Sequence, residues 1–348
     1  MNAERSSSAE RTLMFEEAAA ASHAVRAQMR HDSAAMRTLG AKLRTLHPRA
    51  VVTCARGSSD HAATYAKYLI ETHAKVLTAS AAPSVSSVYG VAQDLRGCLF
   101  IAISQSGRSP DLLASVAAAK ASGATVLALS NSADSPLMTA ADLVIELNAG
   151  PEKSVAATKS YLASLAAIAR LVAAWTEDAE FDNALSELPD LMDRSWNLDW
   201  SAALPQLERA ENLYVVGRGL GLGAAQEIAL KCKETCAIHA EAFSSAELRH
   251  GPYTLLRKGF PALLLAQADA TRPGIEALAI ELARRGVSIL LSGGNAAGTI
   301  LLPALACSPA IAPILQVQSA YRMIASLAVR RGLDPDRPPH LHKVTETV

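Results

Sequence analysis

The chain has 348 residues, half of them hydrophobic with few aromatics, and its 33 Lys+Arg balance 33 Asp+Glu. That length admits two domains of ordinary size, and zero net formal charge gives no sign of a nucleic-acid or membrane-surface partner. No apolar run is long enough to span a bilayer, residues 1–11 lack a signal-peptide core, and Cys54, Cys98, Cys232, Cys236 and Cys307 stand at neither disulfide nor zinc spacing. A cytoplasmic protein without a metal site is expected.

In chain order, residues 12–46 predict one or two amphipathic helices anchored by Leu13, Met14, Val25, Met29, Met36, Leu39 and Leu43. Ala50–Cys54 reads as a strand, 56–59 as a tight turn, 60–73 as a helix, 76–79 as a strand and 82–90 as the start of a short helix. The apolar run 98–103 reads as a buried strand. Ser104, Gln105, Ser106, Gly107, Arg108 and Ser109 follow it, and Pro110 and Asp111 then open an Ala-rich helix. A strand, a hydroxyl-rich turn and a helix N-terminus make an anion seat, because backbone N–H groups and the helix dipole both favour negative charge there. Its hydroxyls suit a dianion such as a sugar phosphate, although such a turn can also serve only to cap the helix.

Residues 125–129 and 143–147 read as further strands around the polar connection 130–138. A polar loop, 148–158, leads into a long Ala/Leu-rich helix over 159–175. Helical segments broken by Pro189 and Pro205 occupy 177–208, where the domain boundary is placed. Strands alternating with helices argue for a parallel sheet.

The pattern then restarts with a strand at 213–216, a Gly-rich turn at 217–223 and a helix at 224–236. Arg218-Gly219 matches Arg56-Gly57, 239–244 matches 79–84, Pro261 to Gln267 matches Leu99 to Gln105, and 288–294 matches 125–131. Near-constant spacing marks an internal duplication. The copies differ at the turn: Ala266, Gln267, Ala268 and Asp269 replace Ser104, Gln105, Ser106 and Gly107, a poor phosphate seat. Only the first half is expected to hold the phosphate. The turn at 217–223 lacks the G-x-G-x-x-G spacing and a ribose-binding acid, so no nucleotide cofactor is expected.

R-G-S-S (56–59), S-Q-S-G-R-S (104–109), V-A-A-T-K (155–159), K-C-K-E (231–234), H-A-E-A-F-S-S-A-E-L-R-H-G-P (239–252) and D-P-D-R-P-P-H-L-H-K-V-T (334–345) together resemble the sugar isomerase (SIS) fold. More narrowly they resemble the isomerase half of glutamine–fructose-6-phosphate aminotransferase, without its N-terminal glutaminase domain. The whole pattern looks most like the stand-alone SIS-type glucosamine-6-phosphate deaminases. The resemblance implies an α/β architecture of two tandem doubly wound SIS (flavodoxin-like) domains, each a parallel sheet flanked by helices. An N-terminal helical segment (1–37), domains at 38–178 and 203–331, a helical linker (179–202) and a C-terminal tail or lid (332–348) are expected.

The resemblance further implies conversion of glucosamine 6-phosphate and water to fructose 6-phosphate and ammonia in a homodimer, with no cofactor. A phosphosugar isomerase, an aminotransferase-like enzyme, a deglycase and a non-catalytic sugar-phosphate sensor are the alternatives. Phosphate contacts fall to Ser58, Ser59, Ser104, Gln105, Ser106 and Ser109, while Arg108 either bonds the phosphate or faces solvent, and Arg56 has no settled role. Glu234 matches the carboxylate that moves a proton between C1 and C2, and Lys231 the lysine beside it. His250 matches the ring-opening histidine that reaches the other subunit's site. Glu152, Val155 and Ala156 match residues lining the sugar, and Lys343 the lysine that folds over the substrate.

Overall fold

A computed structural model describes residues 9–343. The expectations for residues 1–8 and for the end of the tail, 344–348, lie outside the described residues. The described chain opens on two helices, α1 (Leu13–Ala19) and α2 (Ala21–Leu46). Thr12 caps α1, its hydroxyl accepting from Phe15 N at 3.3 Å. By contacts the chain divides into two compact units that interleave along the sequence. The leading unit holds His23–Glu152, Lys159–Ser186 and the described part of His342–Val348. The trailing unit holds the described part of Met1–Ser22, Lys153–Thr158 and Glu187–Leu341.

The sheet of the leading unit is built from β1 (Ala50–Cys54), β2 (Thr78–Ser80), β3 (Cys98–Ser104), β4 (Thr125–Ser130) and β5 (Leu143–Glu146). All neighbours pair in parallel, in the order β2-β1-β3-β4-β5. Every residue of the central β3 is buried, which is why it reads as a continuous apolar run rather than an alternating one. Helices α3 (Ser58–Leu69), α4 (Pro83–Ser87), α5 (Pro110–Ala121) and α6 (Pro136–Ala140) connect the strands. Helix α7 (Lys159–Thr176) follows and is buried along nearly its whole length, and α8 (Ala179–Ser186) closes the unit. At the crossing of α2 and α7, a Cβ on Gly40 would lie 2.4 Å from Ala174 O, so the two backbones touch. Helix α3 ends at Leu69 and passes into a π-helical turn, Ile70–Ala74, which delays β2 by two residues against expectation. The polar connection after β4 contains α6, because Ser135 and Pro136 supply a cap and a first-turn proline.

The trailing unit repeats the scheme. After α9 (Leu188–Trp196) and α10 (Leu204–Leu207) come β6 (Asn212–Gly217), α11 (Gly221–Cys236), β7 (His239–Ser244), β8 (Pro261–Leu265), α12 (Arg272–Arg284), β9 (Ser288–Ser292), β10 (Ile300–Leu302) and α13 (Ala312–Arg330). The order β10-β9-β8-β6-β7 is that of the leading sheet, advanced by five strands and read from the other edge. Both are parallel doubly wound sheets, the expected fold class. Helix α11 begins at Gly221 rather than at 224, because a Gly217 without a side chain lets the helix start close on the strand: a Cβ there would meet Gly221 O at 2.4 Å. Among the described residues no helix is long and apolar enough to cross a membrane.

Candidate active site

In the leading unit the reversal of strand order falls between β1 and β3, the switch point at which open α/β sheets place ligands. Two turns leave the carboxyl ends of these strands. The first carries Arg56 and Gly57 into α3, putting Ser58 and Ser59 in the first helical turn. The second runs from Ser104 through Gln105, Ser106, Gly107, Arg108 and Ser109 into α5. Ser104 Oγ accepts from Gly107 N at 3.0 Å, folding the turn back on itself. Gly107 has φ +64°, and a Cβ there would sit 2.3 Å from Ser135 Oγ, so only glycine fits. Ser109 stands at the N-cap of α5 but makes no capping hydrogen bond with its side chain. Ser106 and Ser109 are both partly exposed.

Arg56 joins the two turns. Its Nε and Nη2 both lie 2.8 Å from Oδ2 of Asp111, a carboxylate with no exposed side-chain surface. Asp111 sits in the first turn of α5, where a carboxylate is favoured by the helix dipole. Arg108, by contrast, is exposed and 3.9 Å from Asp134. Glu152 and Lys343, named separately in the sequence, meet: Lys343 Nζ is 3.1 Å from Glu152 Oε2. Glu152 also accepts from Ser160 N at 3.1 Å and from Ser160 Oγ at 2.7 Å, at the start of α7.

The trailing unit holds the second group. Val155 and Ala156 lie here, Ala156 buried and Val155 N donating to Asp336 O at 3.3 Å. On α11, Glu227, Lys231 and Glu234 share one face, as their spacing requires. Lys231 Nζ is 2.5 Å from Glu234 Oε2 and 3.4 Å from Glu227 Oε1. Tyr321 on α13 donates its hydroxyl to Glu227 Oε1 at 2.8 Å. Burial alone would push Lys231 down, but the two carboxylates outweigh it and hold the ammonium above the ordinary lysine range. Glu227 is fully buried while Glu234 keeps 21 % of its side chain exposed, so Glu234 is the carboxylate a ligand can reach. Glu227 and Tyr321 escaped the sequence reading. The four-residue spacing from Glu227 to Lys231 was the available signal, but an i, i+4 pair reads equally as surface decoration.

His250 follows the short 3-10 turn Glu247–Arg249, its backbone N donating to Glu247 O at 2.9 Å. Its ring is exposed. In the corresponding turn after β8, Asp269 Oδ1 accepts from Thr271 N at 2.8 Å and from Thr271 Oγ1 at 2.6 Å. A carboxylate thus occupies this helix start. Among the described residues no group of three His, Cys, Asp or Glu side chains could hold a metal ion.

Residues 46–174 and 206–300 match the SIS domain family. A glutamine–fructose-6-phosphate aminotransferase [isomerizing] of Sulfurisphaera tokodaii is 32% identical over 300 residues, which cover 84% of this chain and 49% of the relative. The chain spans about half the length of the curated relatives it matches. Among solved structures, a candidate phosphosugar isomerase of Silicibacter pomeroyi DSS-3 superposes with a TM-score of 0.90 at 37% identity, covering 93% of this chain and 100% of that one. The C-terminal domain of glucosamine-fructose-6-phosphate aminotransferase from Francisella tularensis follows at 0.84 and 27% identity, covering 94% and 98%. A glucosamine-6-phosphate deaminase of Thermotoga maritima shares the fold, with a TM-score of 0.78 at 22% identity over 97% and 100% of the two chains.

Proposed function

The chain belongs to the SIS domain family, and from that premise we propose that it is an isomerising deaminase converting glucosamine 6-phosphate and water to fructose 6-phosphate and ammonia. The observation that carries this reading is the charged row on α11: a buried ammonium, Lys231, flanked by Glu227 and by the accessible Glu234. A carboxylate paired with a neighbouring cation, yet open on one side, is suited to take a proton from carbon and give it back one atom away. That transfer is shared by every aldose–ketose interconversion. An amino sugar needs only water besides to complete its reaction, so this reading calls for no further reactant or cofactor.

In this reading the phosphate rests on the hydroxyls and amides of Ser58, Ser59, Ser104, Gln105, Ser106 and Ser109 at two helix starts, with Arg108 as a mobile counter-charge. Arg56 holds the two turns in register through Asp111. His250 acts in the site of a second copy, opening the pyranose by proton transfer between O5 and O1. Glu234 removes the C2 proton of the open-chain sugar and returns it at C1, leaving a C2 imine and a C1 alcohol. Lys231 steadies the developing charge. Water adds to C2, the C–N bond breaks, and ammonia leaves with the nitrogen. Glu152, Val155 and Ala156 line the sugar, and Lys343 closes the site.

The test is stoichiometric release of ammonia and fructose 6-phosphate from glucosamine 6-phosphate, compared with Glu234→Gln. Turnover is expected to fall by about 10²–10⁴-fold in the variant at unchanged melting temperature. Wild-type-like turnover in Glu234→Gln sinks the mechanism. Interconversion of glucose 6-phosphate and fructose 6-phosphate without ammonia from the amino sugar would instead identify a plain phosphosugar isomerase, which the same α11 row would serve. Tight sugar-phosphate binding without turnover would identify a sensor.

A further inference from the structure

The trailing sheet ends on a second, differently furnished pocket. A cavity of about 560 Å³ opens at the carboxyl ends of β8, β9 and β10, lined wholly by trailing-unit residues. Five of its lining side chains are polar and almost completely buried: Ser195 and Ser319, which hydrogen-bond to each other, and Gln267 at 1 %, Ser292 at 0 % and Gln316 at 3 % exposure. Both amide atoms of Gln267, the hydroxyl of Ser292 and Oε1 of Gln316 have no hydrogen-bond partner among the described residues. Native interiors pair such groups, so four orphans on one cavity wall point to a ligand that pairs them.

The wall is built for these amides. A Cβ on Gly221 would lie 2.0 Å from Gln267 Nε2, and one on Gly293 would lie 2.1 Å from Ala266 O and 2.9 Å from Gln316 Nε2. Two glycines therefore clear the space in which the amides lie. Gln316 Nε2 donates to Ala266 O at 2.9 Å, which fixes the amide's orientation and leaves Oε1 as a bare acceptor. Opposite chemistry comes from Trp200, Leu302 and Leu315, an apolar surface in the same cavity. Trp200 is locked by its own bond, Nε1 to Pro303 O at 2.9 Å.

The charges decide the ligand class. Among the described residues no acidic side chain lines the cavity, and the cation that does, Arg272, is paired with Glu276 at 2.8 Å. The neighbouring helix start carries Asp269 where the leading unit carries its hydroxyl turn. A phosphate dianion finds no seat here. A hydroxyl-bearing ring does: each hydroxyl both donates and accepts, matching Gln267 and Ser292, while its C–H face lies on the apolar wall. We propose that the trailing unit carries a second ligand site, for an uncharged sugar of one or two rings, with Gln267, Ser292 and Gln316 as its recognition groups. The proposal stands apart from the deaminase reading, since it uses none of the residues assigned to that reaction.

Cys307 supplies a direct reporter, because it lines the cavity and is partly exposed, whereas the other cysteines are buried. The experiment titrates the full chain with glucose, N-acetylglucosamine and an N-acetylglucosamine disaccharide, with glucose 6-phosphate as the charged arm. Binding is read by calorimetry, and the alkylation rate of Cys307 by peptide mass spectrometry. At least one uncharged sugar is expected to bind and to slow Cys307 alkylation several-fold, and Gln267→Leu and Ser292→Ala are each expected to weaken it about tenfold or more. The wild-type alkylation arm needs no variant to fold. The proposal is overturned if no uncharged sugar protects Cys307. It is equally overturned if the phosphorylated sugar protects as well as the neutral ones, or if protection survives both substitutions.

Discussion

Glu227, Lys231 and Glu234 make the site's charge state a property of one helix face. Tyr321 is the hydroxyl that braces this row from α13, and its removal leaves a buried carboxylate short of a donor. Tyr321→Phe is expected to cost about 1–3 kcal/mol of stability by denaturant unfolding, with turnover lowered because Glu227 and hence Lys231 lose their fixed position. The lysine itself sets a pH dependence. Its folded pKa is raised above the ordinary 10.5, so its contribution to stability is present below the unfolded value and is lost as pH rises through the folded one. Wild-type unfolding midpoints should therefore hold steady from neutral pH to about pH 10 and fall beyond it, more steeply than those of Lys231→Met. Equal slopes for the two proteins would contradict the buried pairing. Lys231 and Glu234 were visible in the sequence as an i, i+3 pair, yet a pair of that spacing is usually exposed. What distinguishes this one is a burial produced by α13, more than eighty residues away.

At the scale of elements, the strand–turn–helix unit around Gly107 was the most legible stretch of the chain. An apolar run, a Ser-rich turn and a Pro in the first helical turn each carry their structural meaning locally. The tertiary structure adds a constraint that no local pattern contains: Gly107 O accepts from Leu137 N at 3.2 Å, tying the turn to α6. Gly107→Ala would place a methyl group against Ser135 Oγ at a positive φ, a strain of about 1–2 kcal/mol before any clash is counted. Melting should drop by several degrees, and KM for the sugar phosphate should rise about tenfold or more with a smaller change in kcat. An unchanged KM would show that the phosphate is held elsewhere. Helix α13 lies at the other extreme of legibility. It is buried over most of its surface, and only a narrow stripe through Arg322, Ser326 and Arg330 is left from which to read a face.

For the whole molecule, the duplication is the organising fact. Both halves fold to the same strand order, while the turns after their central strands diverged: hydroxyls and glycine in one, alanines and an acid in the other. His250 is exposed in the described chain, and its proposed place is the site of a second copy. Mixing inactive His250→Ala with inactive Glu234→Gln under subunit exchange should restore about a quarter of wild-type turnover, since half the dimers are mixed and each carries one intact site. No recovery, with exchange verified by mass, would place His250 within its own chain's site.

The sequence by itself determined the parallel doubly wound fold, the repeat and the residue types at the Ser-rich turn after β3, because strand runs, helix starts and turn glycines are dictated by neighbours along the chain. Only the tertiary structure decided that Lys231 is buried between two carboxylates, that Arg56 serves Asp111, that Glu152 meets Lys343, and that the trailing sheet ends on a cavity with orphaned amides. Each of these depends on burial or on groups brought together from distant positions. Solvent exclusion and the pairing of charges are properties of packed neighbours, and residue order alone does not specify them.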